Sequence, residues 1–553
     1  MRPPFQIQQQ KLSKGIISQL TQLLTQAVEY QNSGENEKAK ACYLQVVKIQ
    51  PLNFDCWHIL GIFEYQNKNL EAALTLFKKV IALNPRFAAA RSNLGLVLQD
   101  LKRYDEAIDS YEKAIDLDPN LYAAYNNCGN AFKDLGKFEK AFESYANAVV
   151  LLPDYAEALY NLAETCKFLK RWEESLIYYE RAIYSRPNYA EAHNNRGLML
   201  QFLNRIDEAI LSFDKTLEIW PEYAPAHSNK SLALLLKGNY RLGWEEHEWR
   251  WRMKEFTSEQ RNFSQPQWTG QFITNMHSDL IGRDFCESLN SRTIFIHCEQ
   301  GIGDTLQFCR YIPIVLATGN RVFFEVQASV YSLMKHIIGA KFLIRQGETL
   351  PEFDFHCPLI SLPFALRNVL NEIPATESYL KADQARKEKW IFKLGERTRP
   401  RVGCVWSGNV FHHNDAFRSI PLATLLPYLM EMSDKVDWVC LQKEFREGEQ
   451  ELLRQVPGLI DNSLDIEDFE DTAALCELVD LVVTVDTSVA HLSGALGRPT
   501  WLMLPYSPDW RWLMERADSP WYPSMKLYRQ NQILNWDSVL EPITKDLQNQ
   551  FSI

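Results

Sequence analysis

The sequence lacks several features that mark common classes of protein. It contains 11 cysteines but no CxxC pair, so neither a zinc site nor a disulfide framework is indicated. There is no run of about 18 apolar residues, and the first residues lack the stretch of about 7 to 15 apolar residues that a signal sequence needs. We therefore expect a cytoplasmic protein with free thiols and no membrane span.

An excess of positive charge is also missing. The formal net charge is −11, from 59 Lys and Arg against 70 Asp and Glu. Proteins that follow a phosphate backbone normally have a basic domain, so we expect no nucleic acid among the partners. Low-complexity tracts do not occur either, and with 46% hydrophobic residues the 553-residue chain can form two or three folded domains.

The first half of the sequence contains a repeat of 34 residues. Glycines such as Gly61 and Gly95 would let the two helices of a unit approach closely, and aromatics such as Phe77 and Tyr111 would fill the space between units. Proline ends each helix pair because it cannot donate a backbone hydrogen bond. The interval is set by six prolines: Pro51, Pro85, Pro119, Pro153, Pro187 and Pro221.

This pattern resembles the tetratricopeptide repeat (TPR), a helix pair that stacks into a solenoid. Six units fit residues 20–223, and a degenerate seventh unit follows to about residue 256. The seventh unit is rich in tryptophan, and we expect Trp244, Trp249 and Trp251 to pack the repeats against the second half of the chain.

The same position of five successive units is an asparagine. In a regular solenoid these amides would form a ladder on one helix face, able to hold the backbone of a bound peptide. The pattern resembles the asparagine ladder of O-linked N-acetylglucosamine transferases. Hydrogen bonds within the stack are the alternative explanation. The ladder residues are Asn93, Asn127, Asn161, Asn195 and Asn229.

From Thr293 onward, short β-branched and aromatic runs alternate with amphipathic stretches. Such alternation predicts βαβ units on parallel sheets. A charged segment at residues 382–400 separates two groups of runs, so we expect two doubly wound lobes whose ligands bind beyond the carboxyl ends of the strands. The runs are TIFIHC, RVFFEV, KFLIR, RVGCVW, WVCLQ, LVVTV and TWLML.

Glycines and an aspartate follow the first of these strands. Gly301 and Gly303 allow close approach of a ligand, and the free amides of the helix that starts there attract negative charge. Leu306 stands where a dinucleotide-binding motif has its third glycine. Asp304 is either a functional carboxylate or an acidic helix cap.

A second polar group follows the run LVVTV. Asp486, Thr487 and Ser488 lie where the strand passes into a helix, and His491 lies one turn later on the same face. Hydroxyl and imidazole donors at a helix N-terminus suit a diphosphate. Ordinary helix caps and a structural histidine are the alternative.

Together, GIGDTLQ and VDTSVAHL resemble the paired motifs of the heptosyltransferase-like family of inverting glycosyltransferases, which have the GT-B fold and need no metal. The resemblance implies that Asp304 is the catalytic base and that Asp486, Thr487, Ser488 and His491 bind the donor nucleotide. Gln307 replaces the histidine that the family pattern places there. A helix N-terminus lowers the proton affinity of an aspartate, so we also expect Asp304 to be a weak base.

Further candidate donor-binding residues follow other strands of the second lobe. Ser407 and Asn409 belong to a loop expected to face the cleft, and Arg418 is a candidate cation for the leaving diphosphate. By similarity, Lys443 would neutralise phosphate and Glu444 would bind the ribose hydroxyls. All three charged residues have solvated surface positions as the alternative.

The complete arrangement resembles bacterial repeat-fused glycosyltransferases: an α-helical TPR solenoid followed by an α/β GT-B domain of two Rossmann-like lobes. It implies transfer of a sugar from a nucleotide-sugar co-substrate to a protein or glycan, with no cofactor and no metal. The alternatives are a TPR scaffold with an inactive transferase-like domain, and an oxidoreductase or epimerase. The expected limits are an extension at 1–19, the TPR superhelix at 20–257, a linker at 258–290, the acceptor-side lobe at 291–400 and the nucleotide-sugar lobe at 401–553.

Overall fold

The computed structural model describes residues 13–254, 256, 258, 260–270, 292–366, 373–412 and 414–551. The chain divides into two compact units, Met1–Met199 and Leu200–Ile553. The boundary lies inside one helix, so the last repeats belong to the same unit as the strands. Most of the linker predicted at 258–290 falls outside the described residues.

The 34-residue interval corresponds to pairs of helices, which confirms the predicted TPR solenoid. Each of the first six pairs ends two residues before one of the interval-setting prolines. A 3₁₀ turn at Glu248–Arg252 follows the last pair. The helices are α1 Lys14–Asn32, α2 Asn36–Ile49, α3 Phe54–Gln66, α4 Leu70–Leu83, α5 Ala88–Asp100, α6 Tyr104–Leu117, α7 Tyr122–Asp134, α8 Phe138–Leu151, α9 Ala156–Phe168, α10 Trp172–Ser185, α11 Ala190–Phe202, α12 Ile206–Ile219, α13 Ala224–Leu236 and α14 Tyr240–His247.

A glycine and an aromatic ring hold the two helices of a repeat together. A Cβ atom on Gly95 would lie 2.5 Å from the Tyr111 ring, and one on Gly61 would lie 2.8 Å from the Phe77 ring. Both rings are fully buried. The aromatic side chain therefore packs against the glycine of its own repeat, a contact that the prediction of aromatics between repeats did not include.

Two parallel sheets follow the repeats. The first sheet has the order β3-β2-β1-β4, and the second has the order β10-β9-β8-β5-β6-β7. The strands are β1 Thr293–His297, β2 Arg321–Val326, β3 Leu343–Arg345, β4 Phe355–Pro358, β5 Arg401–Val405, β6 Asp437–Cys440, β7 Ile460–Asp461, β8 Leu481–Val485, β9 Thr500–Leu504 and β10 Met525–Arg529.

Every residue of β5, β8 and β9 is buried, as in parallel sheets that are covered on both faces. We call residues 292–366 the first lobe and residues 401–551 the second lobe. The helices are α15 Ile302–Phe308, α16 Ile312–Ala317, α17 Tyr331–Ile338, α18 Leu362–Ala365, α19 Gln384–Leu394, α20 Asp415–Arg418, α21 Leu422–Met432, α22 Glu449–Leu453, α23 Phe469–Leu478, α24 Ser488–Ala495 and α25 Asp537–Gln550. None of the described helices is both long and apolar enough to cross a membrane.

The end of the repeat array packs on both lobes. Trp244 of α14 is buried, with its ring centroid 5.9 Å from that of Phe308 and 5.2 Å from that of Trp510. The ring partners of the other two tryptophans of the seventh repeat lie outside the two lobes. Trp249 stacks on His227 at 3.7 Å and Trp251 packs on Phe256 at 4.9 Å.

A buried ion pair fixes the same junction. Arg250 donates to both carboxylate oxygens of Glu299, at 2.9 and 2.7 Å, and both side chains are almost fully buried. Its remaining N–H groups bond to the His247 carbonyl, Glu248 and Ser361. Burial lowers the pKa of Arg250, but the two glutamates raise it by more, so the guanidinium stays charged.

Candidate functional site

The second sheet has a topological switch point between β5 and β8. Counted from β5, its strands lie in the order 6-5-4-1-2-3, the order of doubly wound sheets that bind nucleotides. Chains leaving β5 and β8 turn to opposite sides, which opens a crevice at the carboxyl ends of these strands. The predicted residues Ser407, Asn409 and Asp486 follow these two strands.

The two turns singled out in the sequence meet at the junction of the lobes. Helix α15 begins after Gly301 and packs against α24, which begins at Ser488. A Cβ atom on Gly303 would lie 3.0 Å from Cδ2 of His491 and 3.7 Å from Cα of Ser488. A Cβ atom at this position would crowd the imidazole, so glycine suits the close approach of the first-lobe turn to the second-lobe helix.

Asp304 lies at this junction with one carboxylate oxygen in each of two interactions. Oδ2 accepts a hydrogen bond from the Gly301 amide at 2.9 Å, and Oδ1 pairs with Nη2 of Arg511. Burial raises the pKa of Asp304, and Arg511 and the Gly301 amide only partly oppose the shift. The expectation that the helix N-terminus would make Asp304 a weaker base is therefore wrong in direction, because the cost of burying its charge is larger.

Arg511 is a central residue of the site that the sequence analysis missed. It lies in a loop after β9, and its guanidinium bonds to Asp304, to Oε1 of Gln307 at 2.5 Å and to Oδ1 of Asp509 at 2.9 Å. Burial lowers its pKa, but Asp509 and Asp304 raise it by more, so Arg511 stays charged. Its loop follows the predicted strand TWLML, but nothing in the loop sequence indicates the contact with Asp304.

Gln307, which replaces the family histidine, is fully buried. Its carbonyl oxygen is held by Arg511, so the amide has one orientation. The amide nitrogen has no hydrogen-bond partner among the described residues. In this chain the position therefore anchors Arg511.

His491 lies one turn into α24, as predicted, and is 6% exposed. Its Nδ1 lies 2.9 Å from the Tyr522 hydroxyl, and its ring stacks on Trp512 at 5.4 Å. Burial, together with Arg511 and two other arginines, lowers the pKa of His491 well below its ordinary value. The ring is therefore neutral, and its Nε2 edge faces Gly303.

Arg418 and Asp486 face each other across the switch point. Nη1 of Arg418 donates to the Asp486 carbonyl at 3.1 Å. Arg418 passes so close to Gly408 that a Cβ atom there would lie 2.6 Å from Nη2. Burial and the neighbouring Asp509 raise the pKa of Asp486.

Two other predicted donor-binding residues, Thr487 and Ser407, have hydroxyl groups that contact neighbouring side chains of the second lobe. Thr487 is the N-cap residue of α24, with its hydroxyl 3.4 Å from that of Thr484. Ser407 is buried and accepts a hydrogen bond from Gln442 at 3.0 Å.

The remaining three predicted residues are exposed. Asn409 forms a turn by accepting from the Phe411 amide at 2.9 Å. Lys443 and Glu444 lie beyond the end of β6, and Lys443 donates to the Glu467 carbonyl at 2.9 Å.

The asparagine ladder makes hydrogen bonds within the repeat array. In the first compact unit, which ends at Met199, Nδ2 of Asn161 donates to Asn126 at 3.0 Å. Asn93 lies 2.9 Å from Nε2 of His58. Asn127 accepts from Asn126 at 3.5 Å, and Asn195 donates to Glu164 at 2.9 Å. In the second unit, Asn229 is half-buried on α13. Bonding within the stack, the alternative given above, therefore occurs.

The comparisons with known families all concern the helical repeats. Models described as tetratricopeptide repeat match residues 88–121, 154–222 and 23–51, and a model described as TPR repeat matches 61–102 and 129–166. The N-terminal helical region therefore consists of tetratricopeptide repeats.

Individual proteins give weaker likenesses. Protein FlbA of Caulobacter vibrioides is 26% identical over 346 residues, which cover 57% of this chain and 54% of FlbA, so the chain spans about half the length of this relative. YrrB, a TPR protein with an unusual peptide-binding site, is 25% identical with a TM-score of 0.29, covering 31% of this chain and 89% of YrrB. PilF of Pseudomonas aeruginosa is 18% identical with a TM-score of 0.35, covering 39% and 98%.

Proposed function

We propose that this chain is an inverting, metal-independent glycosyltransferase of the GT-B type. It would transfer a hexosyl or heptosyl group from a nucleotide sugar to an acceptor presented in part by the repeats. The observation that carries the proposal is the approach of Gly303 to Ser488 and His491. This contact brings together two turns from different sheets, and each turn resembles a heptosyltransferase motif.

The second lobe would hold the donor. A departing diphosphate is stabilised by hydrogen-bond donors and positive charge placed before the reaction begins. The amides at the start of α24, the neutral His491 and Arg418 lie at the carboxyl ends of β8 and β5, where doubly wound sheets bind nucleotides. Lys443 and Glu444 lie farther along the same edge and would contact the nucleoside.

The first lobe would supply the base. The acceptor hydroxyl attacks the anomeric carbon, the sugar–phosphate bond breaks, and the hydroxyl proton passes to a carboxylate. Asp304 suits this role because burial raises its pKa towards the range in which a carboxylate accepts a proton effectively. Asp304 belongs to α15, which packs against α24, and it would therefore lie near a donor held by the second lobe.

The repeats would bind a protein or peptide partner. A groove of about 460 Å³ in the first unit supports this role. Its lining includes the apolar residues Ile81, Leu94 and Leu98 and the charged residues Lys78 and Asp105. Such a mixture suits an amphipathic peptide. A scaffold that binds partners without turnover is the second candidate, and the repeats themselves favour it.

A panel of nucleotide sugars tests the proposal. We expect one donor to bind in calorimetry and to be hydrolysed slowly or transferred to a protein acceptor, detected by mass spectrometry. Binding without turnover under any acceptor condition would support the scaffold. Binding of a nicotinamide cofactor instead would indicate redox or epimerase chemistry.

A further inference from the structure

Asp304 and Arg511 come from different lobes. Asp304 belongs to the first turn of α15, and Arg511 belongs to the loop between β9 and β10. Their side chains are 14% and 12% exposed, so the pair is largely shielded from solvent. An ion pair at such a site is much less screened than one at the surface.

Arg511 is itself held on its other edges. Asp509 accepts from Nη1 and Gln307 accepts from Nε, and the guanidinium lies 4.4 Å from the centre of the Trp510 ring. These contacts leave the arginine one orientation. The Gly301 amide holds the second oxygen of Asp304, so both members of the pair are fixed.

We infer that Arg511 is a positioning residue for Asp304: from the second lobe it fixes the first-lobe carboxylate in one orientation and keeps it charged. This inference rests on the proposed function for its catalytic meaning. The structural part, that a second-lobe cation controls the charge of Asp304, stands without it.

The charges around Asp304 give the sign of the expected effect. Arg511 is the cation that contacts Asp304. Asp509, on the other side of Arg511, carries the same negative charge as Asp304, and His491 of α24 is neutral. Arg310, after α15, is committed to the Trp521 carbonyl and the Tyr379 hydroxyl. Removing Arg511 leaves burial and Asp509, both of which favour the protonated acid, so the pKa of Asp304 must rise.

The test is an NMR titration of full-length protein labelled with ¹³C at aspartate carboxyl groups, with the Asp304 signal identified by its loss in Asp304→Asn. Arg511→Gln should raise the Asp304 midpoint by about 1 to 3 pH units. Arg511→Lys keeps the charge and should leave the midpoint close to the wild-type value. Arg516→Gln is the matched control, because it removes a cation of the same loop from an exposed pair with Asp518.

Turnover supplies the second readout with the donor that the nucleotide-sugar panel identifies. The acid limb of the pH–rate profile should move upward in Arg511→Gln, and Arg511→Lys should lower kcat with the limb in place. An unchanged Asp304 midpoint in Arg511→Gln overturns the inference, even if the enzyme is active. Absence of turnover in every variant refutes the proposed function, whereas the titration still decides the role of Arg511. Should Arg511→Gln fail to fold, Arg511→Met replaces it in the titration.

Discussion

Replacing Arg250 with methionine should destabilise the second compact unit strongly. All five N–H groups of Arg250 have acceptors, and the substitution leaves Glu299, with 1% of its side chain exposed, without its cation. Removing one partner of a buried ion pair costs about 3–5 kcal/mol, because the remaining charge stays buried. We expect the free energy of unfolding to fall by that amount.

The assay is urea unfolding followed by tryptophan fluorescence. Of the 15 tryptophans, only Trp57 and Trp172 precede residue 200, so the signal reports mainly the second unit. Arg252→Met is the control two residues away, since Arg252 pairs with Glu222 at the surface, and such a pair contributes at most about 1 kcal/mol. Equal midpoints for the two variants would refute the argument.

Three further predictions concern the candidate site and the repeats. Asp304→Asn should lower turnover roughly 100-fold or more with little change in donor affinity, measured by steady-state kinetics and calorimetry; near-normal turnover would make Asp304 only a helix cap. His491→Ala should weaken donor binding about 10- to 100-fold with unchanged circular dichroism, and unaltered affinity would assign the ring a structural role. Gly95→Ala should lower the unfolding free energy of the first unit by about 1–3 kcal/mol, because its Cβ would overlap the Tyr111 ring; the double variant with Tyr111→Leu should recover part of the loss.

The sequence predicted the elements whose signal is local. The proline interval predicted the helix pairs, and the β-branched runs predicted most strands of both sheets. It missed β4, β7 and β10, because FHCP and ID are short and mixed, and MKLYR has charges at two of its five positions. Hydrophobic periodicity carries too little information in such segments.

The candidate site was predicted in part for a similar reason. Gly303 and His491 follow strands and could be found from the order of elements. Arg511 contacts Asp304 across 207 residues of sequence, and nothing local in the loop around it indicates a partner. The low pKa of His491 and the raised pKa of Asp304 likewise arise from burial, which depends on packing between the lobes.

The boundary between the compact units has a consequence for how this protein can vary. Repeats can be gained or lost only where each one contacts its neighbours alone. Asn204, just before α12, donates to the Tyr506 carbonyl at 2.6 Å, and Trp244 and Arg250 pack on the lobes, so α12, α13 and α14 are tied to them. Insertion and deletion of whole repeats should therefore be confined to the part of the chain before α12, and an excised fragment that contains both lobes should begin near Leu200 to remain stable.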